Sequence, residues 1–440
     1  MQPDLCALLE VQRLIKRRME YSVTTLAGLN PEHAEKYRIP MLGVFGHEVF
    51  KPGGIDTAIR AVQLLEELGY AGLGLSDQLQ SWCFQSVWRP DLVPAASSVP
   101  DHEAFYDTMV LTAALASHTE RLRFTPIVDC FRRPPALLAQ SLLTLDQISH
   151  GRVSISVGSG ENKQFVPYGL ERTEPKNSHL EEAIRTIRSL LRSSTPVSMP
   201  DNKFWKLDEA LVGLEPAEPA RPPAVMMVGG GARAMRIAAR VADGFGTYLP
   251  GAYAGRVEGF EEDLATFWAE VNKVGRNPSE LTVGAAGAEL LVLCENDEQI
   301  ERAYASPYTR STALNLTPLG KHWRLWGSTH PLGDEWALSM THRSTMFSTD
   351  ELLDIVSAVR PVDLDHTMFI GRPEECAQRV VPWLRAAGIP QIPLITGYNF
   401  ATILFPEQLE LGDNGLPRWH NLTVAYVDAV NALLADGNAS

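Results

Sequence analysis

"TPIVDCFRRPPALLAQSLLTLDQISHGRVSISVGSGEN" runs from Thr125 to Asn162. An apolar run closes on Asp129, then Arg132 and Arg133. Pro134 and Pro135 open a stretch whose leucines and alanines recur at helical spacing. A Gly151-Arg152 pair starts a second apolar run, which breaks on Gly158-Ser159-Gly160. Short apolar runs bounded by turn residues read as buried strands, and proline suits the first turn of a helix. The unit is strand–helix–strand, and a helical crossover of this length joins parallel strands.

The same alternation extends both ways. Strands are expected at Ile39–Gly46, Ala71–Asp77, Arg121–Asp129, Arg152–Gly160, Ala224–Gly231, Asp243–Pro250, Leu281–Cys294 and Gln391–Gly397. Helical periodicity fills Ile55–Tyr70, Glu103–Thr119, Pro135–Ser149, Leu180–Ser193 and Ala232–Ala242, and returns at Thr349–Val359 and Arg372–Gly388. Strand–helix alternation makes either a doubly wound open sheet or a closed barrel, and eight strands favour an α/β (β/α)8 TIM barrel. Residues 295–350 carry Trp, His, Thr and Gly without periodicity and read as an insertion between strands seven and eight, over the barrel mouth. Residues 1–38 read as an N-terminal helical arm, 39–410 as the barrel and 411–440 as a C-terminal helical tail.

The 440 residues carry a net charge of −14, and 45% are hydrophobic. Such an acidic surface repels phosphate backbones, so nucleic acid is not an expected partner. No apolar run reaches the roughly 18 residues of a membrane span. Five cysteines without a C-x-x-C pair read as a reduced, cytoplasmic chain; Cys130 reads as a buried small hydrophobe. No His or Cys spacing offers a metal site, and no G-x-S-x-G elbow offers a serine nucleophile.

Barrel enzymes place their chemistry at the C-terminal ends of the strands. Here those ends hold His47 and Glu48; Asp77 and Gln78, followed by Trp82 and Trp88; Val128 and Asp129; Gly158, Ser159, Gly160 and Glu161; and Gly229, Gly230 and Gly231. The triple glycine opens a helix, whose N-terminal amides suit an anion. A tight strand-to-helix turn explains the same glycines. His47 stands between a site residue and a satisfied structural histidine, and Asp77 between a cofactor contact and a cap. Bare backbone, tryptophans and one acid suit a large planar cofactor that carries its own reactivity.

The Thr125–Asn162 block resembles the signature of the luciferase-like (LLM class) flavin and deazaflavin oxidoreductase superfamily. "GGGARAMRIAARVADGF" (Gly229–Phe245) is similar to that superfamily's phosphate-binding turn, with Ala232 where proline is usual. Gly158–Glu161 and Ser76–Trp82 are similar to the branch that uses the deazaflavin coenzyme F-420. "SDQLQSWCFQSVWRP" and "HPLGDEW" look closest to the phthiodiolone dimycocerosate ketoreductase group.

The resemblance implies hydride transfer between reduced coenzyme F-420 and a carbonyl or enone of an apolar substrate, by a homodimer. It implies that Glu161 donates the proton, with Gln78 and His47 beside it. Asp77, Trp82, Pro126, Val128, Gly158, Ser159, Gly160 and Gln164 would hold the ring, and Gly229, Gly230 and Gly231 the phosphate. Lys163 would meet the acidic tail of the cofactor or stand in solvent, and His330 would help close the lid. A cis peptide is expected at Thr125–Pro126. Gln78 departs from the histidine of the sugar-phosphate dehydrogenases, and the lysine that holds their substrate's phosphate has no counterpart in "TYLPGAYAG". Two other readings stay open: an FMN-dependent monooxygenase of the same fold, and a deazaflavin-binding protein without catalysis.

Overall fold

The computed structural model of the chain describes residues 42–43, 54–70, 72–99, 101–170, 176–283, 290–387 and 401–436. Seven strands form one parallel sheet: β1 (Leu42–Gly43), β2 (Gly72–Ser76), β3 (Arg123–Asp129), β4 (Ile155–Gly158), β7 (Val225–Val228), β8 (Gly244–Gly246) and β9 (Thr282–Val283), in the spatial order β1-β2-β3-β4-β7-β8-β9. Every pairing within it is parallel, and the register runs Ser76↔Ile127↔Ser156↔Met226↔Gly244 across five strands. An antiparallel hairpin, β5 (Val197–Met199) with β6 (Leu207–Ala210), interrupts the crossover from β4 to β7. The expected strand Gln391–Gly397 and the arm 1–38 lie outside the described residues.

The expected helices form between the strands. Pro135–Ser149 forms as read, and His150 in the left-handed region (φ 53°) stops it. Glu103–Thr119 shortens to Thr108–Ala116, because the Asp107 carboxylate accepts from the Met109 and Val110 amides and caps the helix there. Their apolar faces and the strands share one core, in which Leu73, Phe124, Ile155, Val225, Ile184, Ile237 and Phe245 are all fully or nearly fully buried. Burial on both faces explains why these strands read as continuous apolar runs rather than alternating ones.

The N-terminal ends of the strands are tied by charged side chains, most of them half-buried. Glu66 accepts the amides of Glu120, Arg121 and Leu122 at 3.0, 2.5 and 2.7 Å. The Arg152 guanidinium donates to the carbonyls of Ala116, Thr119, Leu122 and Ser149. Asp243 accepts the Val225 amide and both Arg188 and Arg192. These carboxylates and guanidiniums bond to one another and to backbone, the arrangement expected of the barrel face that carries stability rather than chemistry.

Two expectations fail. Leu281–Cys294 is not one strand: Thr282–Val283 extends the main sheet, while β10 (Leu291–Leu293) pairs in parallel with β11 (Phe369–Gly371) in a separate two-stranded sheet. One apolar run can serve two sheets, and tertiary pairing rather than local pattern assigns each part. The Thr125–Pro126 bond is trans, because β3 runs as an unbroken ladder against β2 from Arg123 to Ile127; the cis bond among the described residues is Leu249–Pro250.

Residues 295–350 carry structure of their own. Helices Asp297–Ala305 and Pro307–Ala313 and the 3-10 helix Gly320–Trp326 build a second apolar cluster around Tyr308, Trp323 and Trp336. Trp82, Phe84 and Trp88, from the loop after β2, belong to the same cluster. The C-terminal helix, Arg418–Asp436, packs on Pro373–Ala386 and sends Tyr426, Val427 and Val430 into the main core.

Candidate functional site

The middle strands should be buried on both faces, yet Ser76, Ile127, Gly158, Met226 and Val228 are half-exposed. These positions lie at or near the C-terminal ends of β2, β3, β4 and β7. One face of the sheet is therefore open there, and the cleft lies where a barrel carries its chemistry. The roof closes part of it: the Asn162 amide donates to the Ser339 carbonyl at 2.8 Å, and Asn162 Nδ2 to the Met340 carbonyl at 3.0 Å.

Four residues that the sequence singled out meet in this cleft. Glu161 precedes a single turn, Asn162–Gln164, that folds Lys163 back under the loop. Lys163 is 0% exposed, and its Nζ donates to Glu161 Oε2 and, at 2.8 Å, to Gln78 Oε1. Gln164 Nε2 donates to the same Gln78 oxygen at 2.5 Å and to the Gln80 carbonyl at 2.8 Å, while Gln164 Oε1 accepts the Leu79 amide at 2.6 Å. Lys163 is thus neither solvated nor at the rim. Glu161 does not stand alone in an apolar mouth: it is paired with a buried ammonium and keeps 24% of its side chain exposed. Gln164 is a buried link between two loops.

Asp77 is held elsewhere. Arg133 grips both its oxygens, Nε to Oδ2 at 3.0 Å and Nη2 to Oδ1 at 3.1 Å, and Arg132 adds a contact at 3.2 Å. Arg132 also binds Asp129 at 2.5 Å, and Arg133 reaches Asp107 at 2.6 Å. Burial disfavours the charge on Arg133, but the carboxylates of Asp77 and Asp107 outweigh it and push the pKa up. The "FRRPP" segment clamps the ends of β2 and β3, and the Asp77 side chain is spent on that clamp.

The glycines divide. Gly160 has φ +65°, and a Cβ there would fall 2.3 Å from Phe165 Cζ, so its bareness serves packing rather than a ligand. A Cβ at Gly158 would meet only ordinary contacts at 3.9 Å, and Ser159 is half-exposed beside it. At the triple glycine, the Gly229 amide donates to the Gly246 carbonyl at 3.0 Å, and the Gly231 amide to Asp263 Oδ2 at 2.6 Å. Asp263 also accepts from Tyr253 Oη at 3.1 Å, and burial raises its pKa. The amide of exposed Gly230 and the first amides of helix Ala232–Val241, which lack intrahelical partners, remain for an anion. Two of the three expected phosphate contacts are therefore committed within the chain.

Val128 points into the main core and Pro126 is buried in β3, so neither side chain faces the cleft. Trp82 is 6% exposed within the roof cluster, with its carbonyl accepting Asn315 Nδ2 at 2.8 Å. Cys130 is fully buried, and burial pushes its thiol pKa up. His330 is a satisfied core histidine: Nε2 meets the Leu314 carbonyl at 3.0 Å, and Nδ1 accepts the Leu332 amide at 3.1 Å. His47 and Glu48 lie outside the described residues.

Sequence reasoning missed His342 and Tyr248. His342 Nδ1 faces the amide nitrogen of Asn315 at 3.2 Å, and Nε2 faces the Ser81 carbonyl at 3.2 Å, which fixes a neutral ring protonated on Nε2. Burial first, and the Lys163 charge second, lower its pKa to about 3. Burial and then the Glu161 charge raise that of Tyr248. Neither residue belongs to a recognisable motif; each enters through the fold.

A sequence model of the family described as "Luciferase-like monooxygenase" matches residues 36–391. A phthiodiolone/phenolphthiodiolone dimycocerosates ketoreductase of Mycobacterium tuberculosis is 28% identical over 305 residues, 69% of this chain and 77% of that protein. Among solved structures, an F-420-dependent secondary alcohol dehydrogenase bound to a coenzyme–acetone adduct superposes with a TM-score of 0.56 at 16% identity, over 84% of this chain and 95% of the other. An EDTA monooxygenase from Chelativorans sp. BNC1 gives 0.58 at 15% identity, over 90% and 94%. With its parallel sheet, its crossovers and more than half its length matched, the chain belongs to the luciferase-like family and has that family's α/β barrel fold.

Proposed function

We propose that the protein is a coenzyme F-420-dependent oxidoreductase that moves a hydride between the reduced deazaflavin and the carbonyl or enone carbon of an apolar substrate. The observation that carries this reading is the cluster of Glu161, Lys163 and Gln78 at the open ends of β2 and β4. A ketoreductase among the relatives and an F-420-dependent dehydrogenase among the structural neighbours support it.

The residues present fit such a cofactor. The cleft floor of Ser76, Ile127, Gly158, Met226 and Val228 is half-exposed and largely apolar, as a flat ring requires. The Gly230 amide and the following helix start would hold the phosphate. When bound, the deazaflavin supplies the hydride. Glu161, reaching the cleft from the end of β4, gives the proton that the substrate oxygen takes as its carbon gains the hydride, and removes it in the reverse direction. The roof excludes water from this exchange. Leu79, Val166, Tyr168, Leu170 and Met340 are exposed large apolar side chains on the loops around the mouth, which suits an apolar substrate. The roof at about 295–350 is a functional insertion in this reading, and the enzyme is a cytoplasmic homodimer.

The test is quenching of tryptophan fluorescence, titrated in parallel with coenzyme F-420 and with FMN. Tight binding of the deazaflavin alone is expected. Tight binding of FMN alone would overturn the reading in favour of oxygen-dependent chemistry. Binding of deazaflavin with no turnover of any ketone or enone would leave a binding protein.

A further inference from the structure

Gln78 has one side-chain oxygen and one nitrogen, and its surroundings decide which faces the cleft. The decision starts at the backbone. Gln164 Oε1 must be the oxygen, because it receives the amides of Leu79 at 2.6 Å and Gln80 at 3.3 Å. Its Nε2 is therefore the donor, to the Gln80 carbonyl and to Gln78. The Gln78 atom that meets Gln164 Nε2 at 2.5 Å and Lys163 Nζ at 2.8 Å thus faces two donors and is oxygen. Reversing Gln78 would place its NH₂ against an ammonium and an amide. Its Nε2 lies on the other arm of the amide, on a half-buried residue, and meets no hydrogen-bond partner among the described residues.

We propose that Lys163 and Gln164 lock Gln78 in one orientation, so that its Nε2 stands as a preset hydrogen-bond donor to the carbonyl oxygen of the substrate. The inference rests on the oxidoreductase reading and deepens it. Gln78 is the residue that touches substrate; Lys163, wholly buried, is a positioning residue acting through Gln78 and Glu161. A neutral donor held in place stabilises charge growing on oxygen without reorganising. It cannot exchange a proton as a histidine there would. Gln78 therefore leaves proton transfer to Glu161 and selects substrates by their oxygen.

The experiment is a double-mutant cycle with two independent readouts. The first is the urea midpoint of the ligand-free protein for Gln78→Leu, Lys163→Met and the double variant. A double variant no less stable than the worse single one supports the lock, and strictly additive losses overturn it. This readout needs no cofactor, so it stands even if deazaflavin does not bind and the proposed function falls. The second is turnover of 2-undecanone with reduced coenzyme F-420. Removing one such donor lowers kcat by about 10²-fold. Gln78→Leu should show that loss with the deazaflavin Kd unchanged, and Lys163→Met and Gln164→Glu should lower kcat in the same direction. Gln164→Glu retains the acceptor for Leu79 but turns an oxygen on Gln78, so it tests the lock even if Lys163→Met fails to fold. Unchanged kcat in Gln78→Leu or in Gln164→Glu would overturn the proposal.

Discussion

Two charged networks sit side by side at the strand ends, and they are built to different rules. In the clamp, Asp77, Asp107, Asp129, Arg132 and Arg133 spend nearly every polar atom on one another and on nearby backbone. In the cleft cluster, Lys163 Nζ holds Gln78 and Glu161, but Gln78 Nε2 and Glu161 Oε1 have no hydrogen-bond partner among the described residues. The networks start one residue apart, at Asp77 and Gln78. The difference separates stability from function: a closed network holds loops in place, and an open one leaves groups for a ligand.

The sharpest way to break this contrast is Glu161→Gln. Its isosteric amide keeps an acceptor for Lys163 but cannot give up a proton as a carboxyl does. Turnover should fall by about 10²–10⁴-fold, the usual worth of general acid–base catalysis. Deazaflavin affinity, followed by fluorescence, should hold. Unchanged turnover would move the proton donor elsewhere, with Tyr248, which feels the Glu161 charge, the first residue to test.

Asp77→Asn is the counterpart for the closed network. It leaves Arg132 and Arg133 partly unpaired in a site where Asp77 is 5% exposed, and losing one partner of a buried pair costs about 3 kcal/mol. Urea unfolding should show that loss, while kcat of the folded enzyme changes little. A large drop in kcat at unchanged stability would make Asp77 a working residue of the cleft, and the contrast would fail.

The strand–helix alternation was legible in sequence because period is local, and Pro135–Ser149 formed as read, while Glu103–Thr119 overran the cap at Asp107. The division of Leu281–Cys294 was not, since one apolar run can serve two sheets and only tertiary pairing assigns it. In the site, Glu161 and Gln78 were legible as polar residues at strand ends. What they do was not: a lysine two residues on reads as meeting a cofactor's acidic tail or as standing in solvent until the turn at Asn162–Gln164 buries it. The same limit misread Gly160 and Asp77. A glycine that spares Phe165 looks like one that spares a cofactor, and an aspartate held by two arginines looks like one that is free. His342 comes from the roof, far along the chain, and no spacing rule could have joined it to Lys163.

His342 offers a smaller test of how far the open network extends. Its folded pKa of about 3 lies below its ordinary 6.5, so the unfolded chain takes up a proton that the native protein refuses. Stability tied to this group is present above pH 6.5 and is lost as pH falls toward 3, by at most about 1.4 kcal/mol per pH unit. His330, lowered to about 4 by burial, adds to the same slope. His342→Gln should therefore be less stable than the parent at pH 7 and should lose stability less steeply between pH 6.5 and 4, with urea midpoints reading both. Parallel curves would mean that the native protein protonates His342 freely. The histidine would then exchange protons with the cleft, on the side of Glu161 and Gln78, rather than serve as a sealed strut between Asn315 and Ser81.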